Sequence, residues 1–285
     1  MAVKAHQVVL GVFGGVLFFM ALGITACVGG CVVGSNGVAM GFVGDRVKHS
    51  VTGEIEHVAG KPLRVETGNG RIEVVKSGDK QVRVSAELSG RDRARLEAAT
   101  LRLARDSDGQ LTVSINWPDG KRRMYEGASL RIEIPDATGL HLETGNGEIR
   151  ASGFAGKLVA DTSNGEIFVS DHDGPVHADT SNGPITLNNV GNVEADTSNG
   201  EVNVTLRDDA TGPVKLDSSN GALKLTVGKA FKGVITADTS NGSVSATSQR
   251  ATKVEVKRSS ARVEFGEGDP SVMDTSNGSI EIRER

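Results

Sequence analysis

The chain has 285 residues, with 32 Lys and Arg against 36 Asp and Glu and a formal net charge of −4. That balance lacks the basic face of a nucleic-acid binder, and the length allows one large or two modest domains. Gly is abundant at 37 while aromatic residues make up only 4%, with Trp117 and Tyr125 the single examples of their types. Small aliphatic side chains must therefore fill the core, which suits a narrow stacked coil better than a globular sandwich.

Residues 8–33, VVLGVFGGVLFFMALGITACVGGCVV, carry no charge. A transmembrane helix needs roughly 20 such residues, so this run suffices to span a bilayer. Lys4 precedes it, and Arg46 and Lys48 follow at a distance. A signal peptide with Lys4 in its n-region is the second reading. Ile24-Thr25-Ala26-Cys27 resembles a bacterial lipobox, which makes Cys27 a candidate lipidation site. Signal-anchor, lipoprotein and released protein stay open, and all three put the remainder outside the cytoplasm. Gly11 and Gly15 form a GxxxG, a weak sign of helix dimerisation. Cys27 and Cys31 are the only cysteines, with no His near enough to complete a metal site. We read 1–34 as the anchor or lipoprotein signal and 35–48 as a linker.

In residues 49–138, strand patterns fall at 63–66, 71–75, 81–87, 101–104, 111–115 and 129–134. Asp106-Ser107-Asp108-Gly109 punctuates a hairpin. Lys121-Arg122-Arg123 beside Pro118-Asp119-Gly120 reads as a hairpin loop. Residues 91–99, RDRARLEAA, are good helix formers and give the one expected helix.

From residue 139 onward a motif recurs. Asp161-Thr162-Ser163-Asn164-Gly165 returns with Asp179, Asn182 and Gly183, with Asp196, Asn199 and Gly200, with Asp238, Asn241 and Gly242, and with Asp274, Asn277 and Gly278. Asp217-Ser218-Ser219-Asn220-Gly221 is a Ser-for-Thr version; Glu66-Thr67-Gly68-Asn69-Gly70 and Glu143-Thr144-Gly145-Asn146-Gly147 are earlier relatives. A period near 20 residues is the mark of a solenoid.

With each Asn as position zero, +3 is aliphatic in all eight copies (Ile72, Ile149, Ile167, Ile185, Val202, Leu223, Val244, Ile280). Positions +5 and −4 are apolar throughout, and +4 is mostly polar, so each repeat supplies a short strand before the turn and another after it. Gly156, Gly174, Gly191, Gly212 and Gly233 stand eight residues before their Asn. Asn-Gly also signals an antiparallel hairpin, but identical residues at every turn favour a corner at which coils stack in parallel, about 4.8 Å apart. The gap between Asn241 and Asn277 holds Ser259-Ser260-Ala261-Arg262-Val263-Glu264-Phe265, which fits as a degenerate coil without Asn-Gly. We therefore expect eight coils between Asn146 and Asn277. The predicted fold is all-β, a parallel β-solenoid (single-stranded β-helix), with residues 49–138 as a small α+β N-terminal cap. Residues 139–285 are the repeats, and Glu281-Ile282-Arg283-Glu284-Arg285 closes the far end with charge.

This layout resembles the bacterial putative-adhesin family, exported domains of unknown function built from NG-x-[IV]-x-[VI] coils. The resemblance runs from about His49 to the C terminus and includes the turn and strand at 66–74, the helix at 91–99, the strand at 111–117 and Leu130-Arg131-Ile132-Glu133-Ile134-Pro135. It implies a surface-exposed, adhesin-like role and carries over no catalytic residue.

Position −3 is acidic in all eight copies. Stacked carboxylates about 5 Å apart repel by about 3 kcal/mol at an effective dielectric near 20. A line of Ca²⁺ ions offsets that repulsion in one reading. In the other, each Asp accepts hydrogen bonds from the following N–H groups and hydroxyls in an Asx-turn; one acid per repeat favours this, and no metal or cofactor is expected. Asp171-His172-Asp173 with His177 is the densest ligand cluster and reads as a solvated turn. No phosphate loop and no His in the repeat columns support catalysis. The reading is a non-enzymatic, membrane-tethered extracytoplasmic scaffold or adhesin-like surface that binds an envelope polymer or protein through repeated polar ladders. A polysaccharide-acting enzyme and a sensory module of an envelope-stress system are the alternatives.

Overall fold

The computed structural model describes residues 46–285. The apolar segment 8–33, Cys27 and most of the expected linker lie outside the described residues. Among the described residues, no helix is long and apolar enough to cross a membrane.

The chain is almost entirely β, folded into a 12-stranded and an 11-stranded sheet. The strand before each Asn-Gly corner enters the first sheet, and the strand after it enters the second. Val176–Thr180 and Ile185–Val190, for example, pair in parallel with Val193–Thr197 and Val202–Leu206 of the next repeat. Columns −4, +3 and +5 face inward between the sheets. Ala178, Ala195, Ile185, Val202, Leu187 and Val204 are all buried. Position −4 is Ala in four of the eight copies (Ala160, Ala178, Ala195, Ala237), and Phe154 and Phe231 are the buried aromatics of the core.

The corner explains the motif. The hydroxyl at −2 points inward and donates to the glycine carbonyl of the preceding coil. Thr162 donates to Gly147 O at 3.1 Å, Thr180 to Gly165 O at 3.1 Å, and Ser218 to Gly200 O at 3.1 Å. On the outside, each Asn Nδ2 donates to the Oδ1 of the Asn below, 2.8 Å from Asn182 to Asn164 and 2.8 Å from Asn199 to Asn182. Glycine is required by contact: a Cβ on Gly200 would lie 1.9 Å from Gly183 O, and one on Gly221 1.7 Å from Gly200 O. Among the corner glycines only Gly70 has positive φ; otherwise positive φ falls at the strand entrances, at Gly156, Gly174, Gly212 and Gly233.

Three expectations are corrected by the strand order. Residues 260–264 do not form a degenerate coil. Ser260–Glu264 pairs antiparallel with Val234–Thr239 and with Lys253–Val256. Without the Thr, Asn and Gly of a corner, this segment has no ladder bonds to offer and turns back in a hairpin over the end of the core, with Val263 fully buried. The last repeat then fills a vacant place inside the stack: Ser271–Thr275 sits between Val214–Ser218 and Val234–Thr239, and Ile280–Glu284 between Leu223–Val227 and Val244–Thr247. The tail 281–285 therefore does not close the far end. Glu284 instead clasps the loop after Val244–Thr247, accepting from Ser248 Oγ at 2.6 Å and from the Gln249 and Arg250 N–H groups at 2.8 and 3.1 Å. These bonds draw its pKa down to about 2.

At the other end, Leu111–Asn116 and Gly127–Ile134 make a further coil, parallel to Leu63–Thr67 and Ile72–Lys76. The basic segment 121–123 thus belongs to a corner between sheets, not to a hairpin. Val47–Glu56 and Gln81–Gly90 extend one sheet antiparallel, and Thr100–Arg105 extends the other. Val47–Glu56 begins inside the expected linker; its alternation of Val47, Val51 and Ile55 with polar residues is the period-two signal that marks it. The helix Arg93–Ala98 covers this end with Leu96, and Asp92 caps it by accepting from Arg95 N at 3.2 Å.

Two substitutions separate the corner forces. Thr197→Val leaves the Gly183 carbonyl unpaired and lowers unfolding free energy by about 1–3 kcal/mol. Gly200→Ala drives a methyl into backbone and lowers it further, whereas Gly78→Ala, with nothing within 4 Å of the new Cβ, is nearly silent. Urea unfolding followed by circular dichroism measures all three.

Candidate functional site

The alternation that buries positions −2 and −4 turns −3 and −5 outward on the 12-stranded sheet. The acids at −3 stand in register in the spatial order Glu66, Glu143, Asp161, Asp179, Asp196, Asp217, Asp274, Asp238. Sequence order and spatial order differ only at the last two, because of the inserted final coil. At one end of the column, Arg64 pairs with Glu66 and lies 3.8 Å from Glu143, which also has His141 at 3.7 Å.

The six aspartates are different. Among the described residues none of their carboxylates forms a hydrogen bond or ion pair. The Asx-turn expected at each corner is absent, because the hydroxyl beside each Asp is directed inward to a glycine carbonyl. The corner is capped by Thr and Asn, and the Asp points to solvent. Partial burial raises the pKa of Asp161, Asp196 and Asp274 above the usual carboxylate value. Neighbouring carboxylates raise them further: Asp217 and Asp179 act on Asp196, and Asp238 and Asp217 on Asp274. His177 and His141 oppose the shift at Asp161.

Column −5 runs alongside. His177 Nδ1 lies 3.3 Å from Glu194, and Lys215 Nζ 2.8 Å from the same carboxylate, so these charges are largely satisfied among themselves. His177, Glu194 and Lys215 themselves line one side of an open groove of about 580 Å³, whose apolar lining includes Pro175, Pro213, Pro270 and Val272. The face thus presents an apolar trough beside a row of free carboxylates repeating at the inter-strand spacing.

The other sequence candidates separate. His172 is buried, with Nε2 2.7 Å from Gly156 O, and burial lowers its pKa. Asp173 binds Arg207 at 2.6 Å, and Asp171 accepts from Asn189 at 2.7 Å. His177 faces the outer surface instead. The segment is therefore structural, and no group of three or more potential metal ligands occurs among the described residues. Asp106 closes its hairpin by accepting from the N–H groups of Asp108 and Gln110 at 3.0 and 2.9 Å. Sequence reading passed over the groove, although position −7 already held Pro62, Pro175, Pro213 and Pro270 in register with the motif.

No family model and no curated protein matches the chain. Solved structures do show similarity. One is described as a "putative cell adhesion protein" from Clostridium sporogenes, at 12% identity, covering 84% of this chain and 100% of that one with a TM-score of 0.36. A "putative adhesin" from Bacteroides fragilis has 12% identity, covers 82% and 97%, and gives a TM-score of 0.38. A "putative lipid binding protein" from Parabacteroides distasonis has 14% identity, covers 83% and 96%, and gives 0.37. None supplies a residue-level correspondence to the acidic column or the groove.

A raised folded-state pKa means that the folded chain keeps protons the unfolded chain has released. The contribution of Asp161, Asp196 and Asp274 to stability is therefore greatest below the ordinary Asp value of 3.8 and is lost as pH rises through the raised value. Asp196→Asn is expected to raise the thermal midpoint at neutral pH, with the gain vanishing below about pH 4. A midpoint difference that is the same at both pH values would contradict the crowding.

Proposed function

We propose that this protein is a non-enzymatic, membrane-tethered β-solenoid outside the cytoplasm, acting as an envelope scaffold or adhesin-like surface. The observation that carries this reading is the in-register row of aspartates with no internal partner. Side chains that crowd one another, with only the longer-range attraction of Lys215, His177 and His141 to offset it, are suited to a ligand that repeats as they do. A polymer bearing cationic or hydrogen-bond-donating groups engages several coils at once, and each added contact is intramolecular, so weak individual contacts sum to avidity. The trough beside the row gives such a chain an apolar floor. The tether is supported by the charge-free run 8–33, and Cys27 is the residue acylated if the segment is a lipoprotein signal.

Two measurements test the reading. Recovery of envelope polymers or proteins on the immobilised full-length chain is expected to fall about tenfold or more when Asp179, Asp196 and Asp217 are all changed to Asn. Unchanged recovery, or reproducible turnover in a reducing-sugar assay across a polysaccharide panel, would overturn it. Mass spectrometry of the mature N terminus reads the tether: an acylated Cys27 gives a lipoprotein, and an intact segment 8–33 gives a membrane-spanning anchor.

A further inference from the structure

The first coil replaces the Thr-Ser-Asn-Gly corner with a longer loop, residues 117–126. It lies in line with the other corners, since Asn69 Nδ2 donates to Glu126 O at 3.2 Å. Its base is fixed. Glu126 is buried and accepts from Arg95 Nε at 2.7 Å and from Arg123 N at 2.7 Å; Arg95 also binds Asp119 at 3.1 Å and the Lys121 carbonyl at 2.9 Å. Its tip is apolar and uncovered. Met124 is 78% exposed and Tyr125 47%, the two most exposed large hydrophobics among the described residues. Arg91 lies 3.6 Å from the Tyr125 ring centroid, which sets the ring's orientation.

Basic residues surround this tip. Lys121, Arg122 and Arg123 are exposed, and Arg46 and Lys48 share a shallow cleft of about 540 Å³ with Met124 and Tyr125. The nearby carboxylates are engaged: Asp119 by Arg95, Glu87 by Lys48 at 2.8 Å, and Asp92 by Arg123 at 3.8 Å. A net positive ring thus encloses an apolar tip on a chain whose overall charge is −4.

Arg46 is also where the described domain joins the rest of the chain. Only residues 34–45 separate it from the apolar run 8–33, and that length spans at most about 40 Å. We propose that loop 117–126, with Arg46 and Lys48, docks on the surface of a lipid bilayer bearing anionic headgroups. Met124 and Tyr125 enter the headgroup region, and the Lys and Arg side chains meet the phosphates. The inference rests on the tethered reading above, because the short connection is what keeps the loop at the membrane. Docking would hold the acidic row at a fixed orientation to the bilayer.

Trp117, the only tryptophan, stands at the base of the loop and reports the contact. Full-length protein is reconstituted in phosphatidylcholine vesicles with or without phosphatidylglycerol, each with headgroup spin-labelled lipid as quencher. Quenching of Trp117 is expected to be strong only with phosphatidylglycerol and to weaken as salt is raised. It should be lost in Met124→Ser/Tyr125→Ser, and the docked-to-free ratio should fall about fivefold for each of Lys121→Gln and Arg123→Gln. Equal quenching in neutral and anionic vesicles, or no response to these substitutions, overturns the proposal. So does suppression of quenching only by a soluble polyanion in vesicles of either composition, which would make the loop a polymer site. Flotation with neutral vesicles at high salt reads the tether separately. A chain that fails to float there but is quenched on anionic vesicles has lost its anchor reading and kept its docking surface.

Discussion

The close approach of one corner glycine to the carbonyl of the next is the constraint on which the rest of this molecule depends. It lets the turns stack at β-sheet spacing, and that spacing places the threonine hydroxyl within reach of the glycine carbonyl below and one asparagine amide within reach of another. Each repeat buries only about three to six apolar side chains, so no repeat has a core of its own. The repeated corner bonds and the continuous aliphatic columns are shared between neighbours, as nearest-neighbour stabilisation in stacked repeats requires. Both ends then need different chemistry: helix Arg93–Ala98 and the antiparallel strands at one end, and the hairpin of Lys253–Val256 and Ser260–Glu264 at the other.

The same spacing brings the acids together. A stack that holds threonine and asparagine in register must hold the residue at −3 in register too, and in six of the eight coils that residue is an Asp with no hydrogen bond or ion pair. Crowding of these carboxylates acts at Asp161, Asp196 and Asp274, whose neighbours in the column raise their pKa values. That crowding runs against stability at neutral pH, and the conflict makes the row a candidate for function in a surface otherwise organised for packing.

Much of this was legible from the residues. The columns at −4, +3 and +5 follow from a two-residue period locked to a repeated turn, and they were readable because the motif supplied an alignment within one chain. The division of labour at the corner was not. Sequence shows that Asp, Thr, Asn and Gly travel together, but a turn in isolation lets Asp cap its own backbone, and only stacking reveals that the hydroxyl turns inward, away from Asp. Nor does Asn-Gly in a sequence disclose that the role of glycine at the corner is to leave room for the carbonyl below. The strand order failed for a related reason. The number of residues between Asn241 and Asn277 fits two coils as well as one coil and a hairpin, and no local signal states which neighbours the last strand will take. The missing corner at 259–265 was the available clue, because a segment without Thr, Asn and Gly has nothing to contribute to the ladder.

The inserted final coil has a consequence for how the protein is made. In a stack laid down in chain order, each turn could dock as soon as it emerged from synthesis or from a translocation pore. Here Val234–Thr239 and Val244–Thr247 pair with the earlier coils only through Ser271–Thr275 and Ile280–Glu284, while Arg250 donates to the Gly228 and Lys229 carbonyls and Phe265 packs edge-on against Phe231. The strands of that coil therefore gain their sheet neighbours only when residues 271–284 enter between them and the rest. The C-terminal strand acts as a keystone: assembly proceeds in one direction for most of the chain, and then the final segment closes the gap from behind.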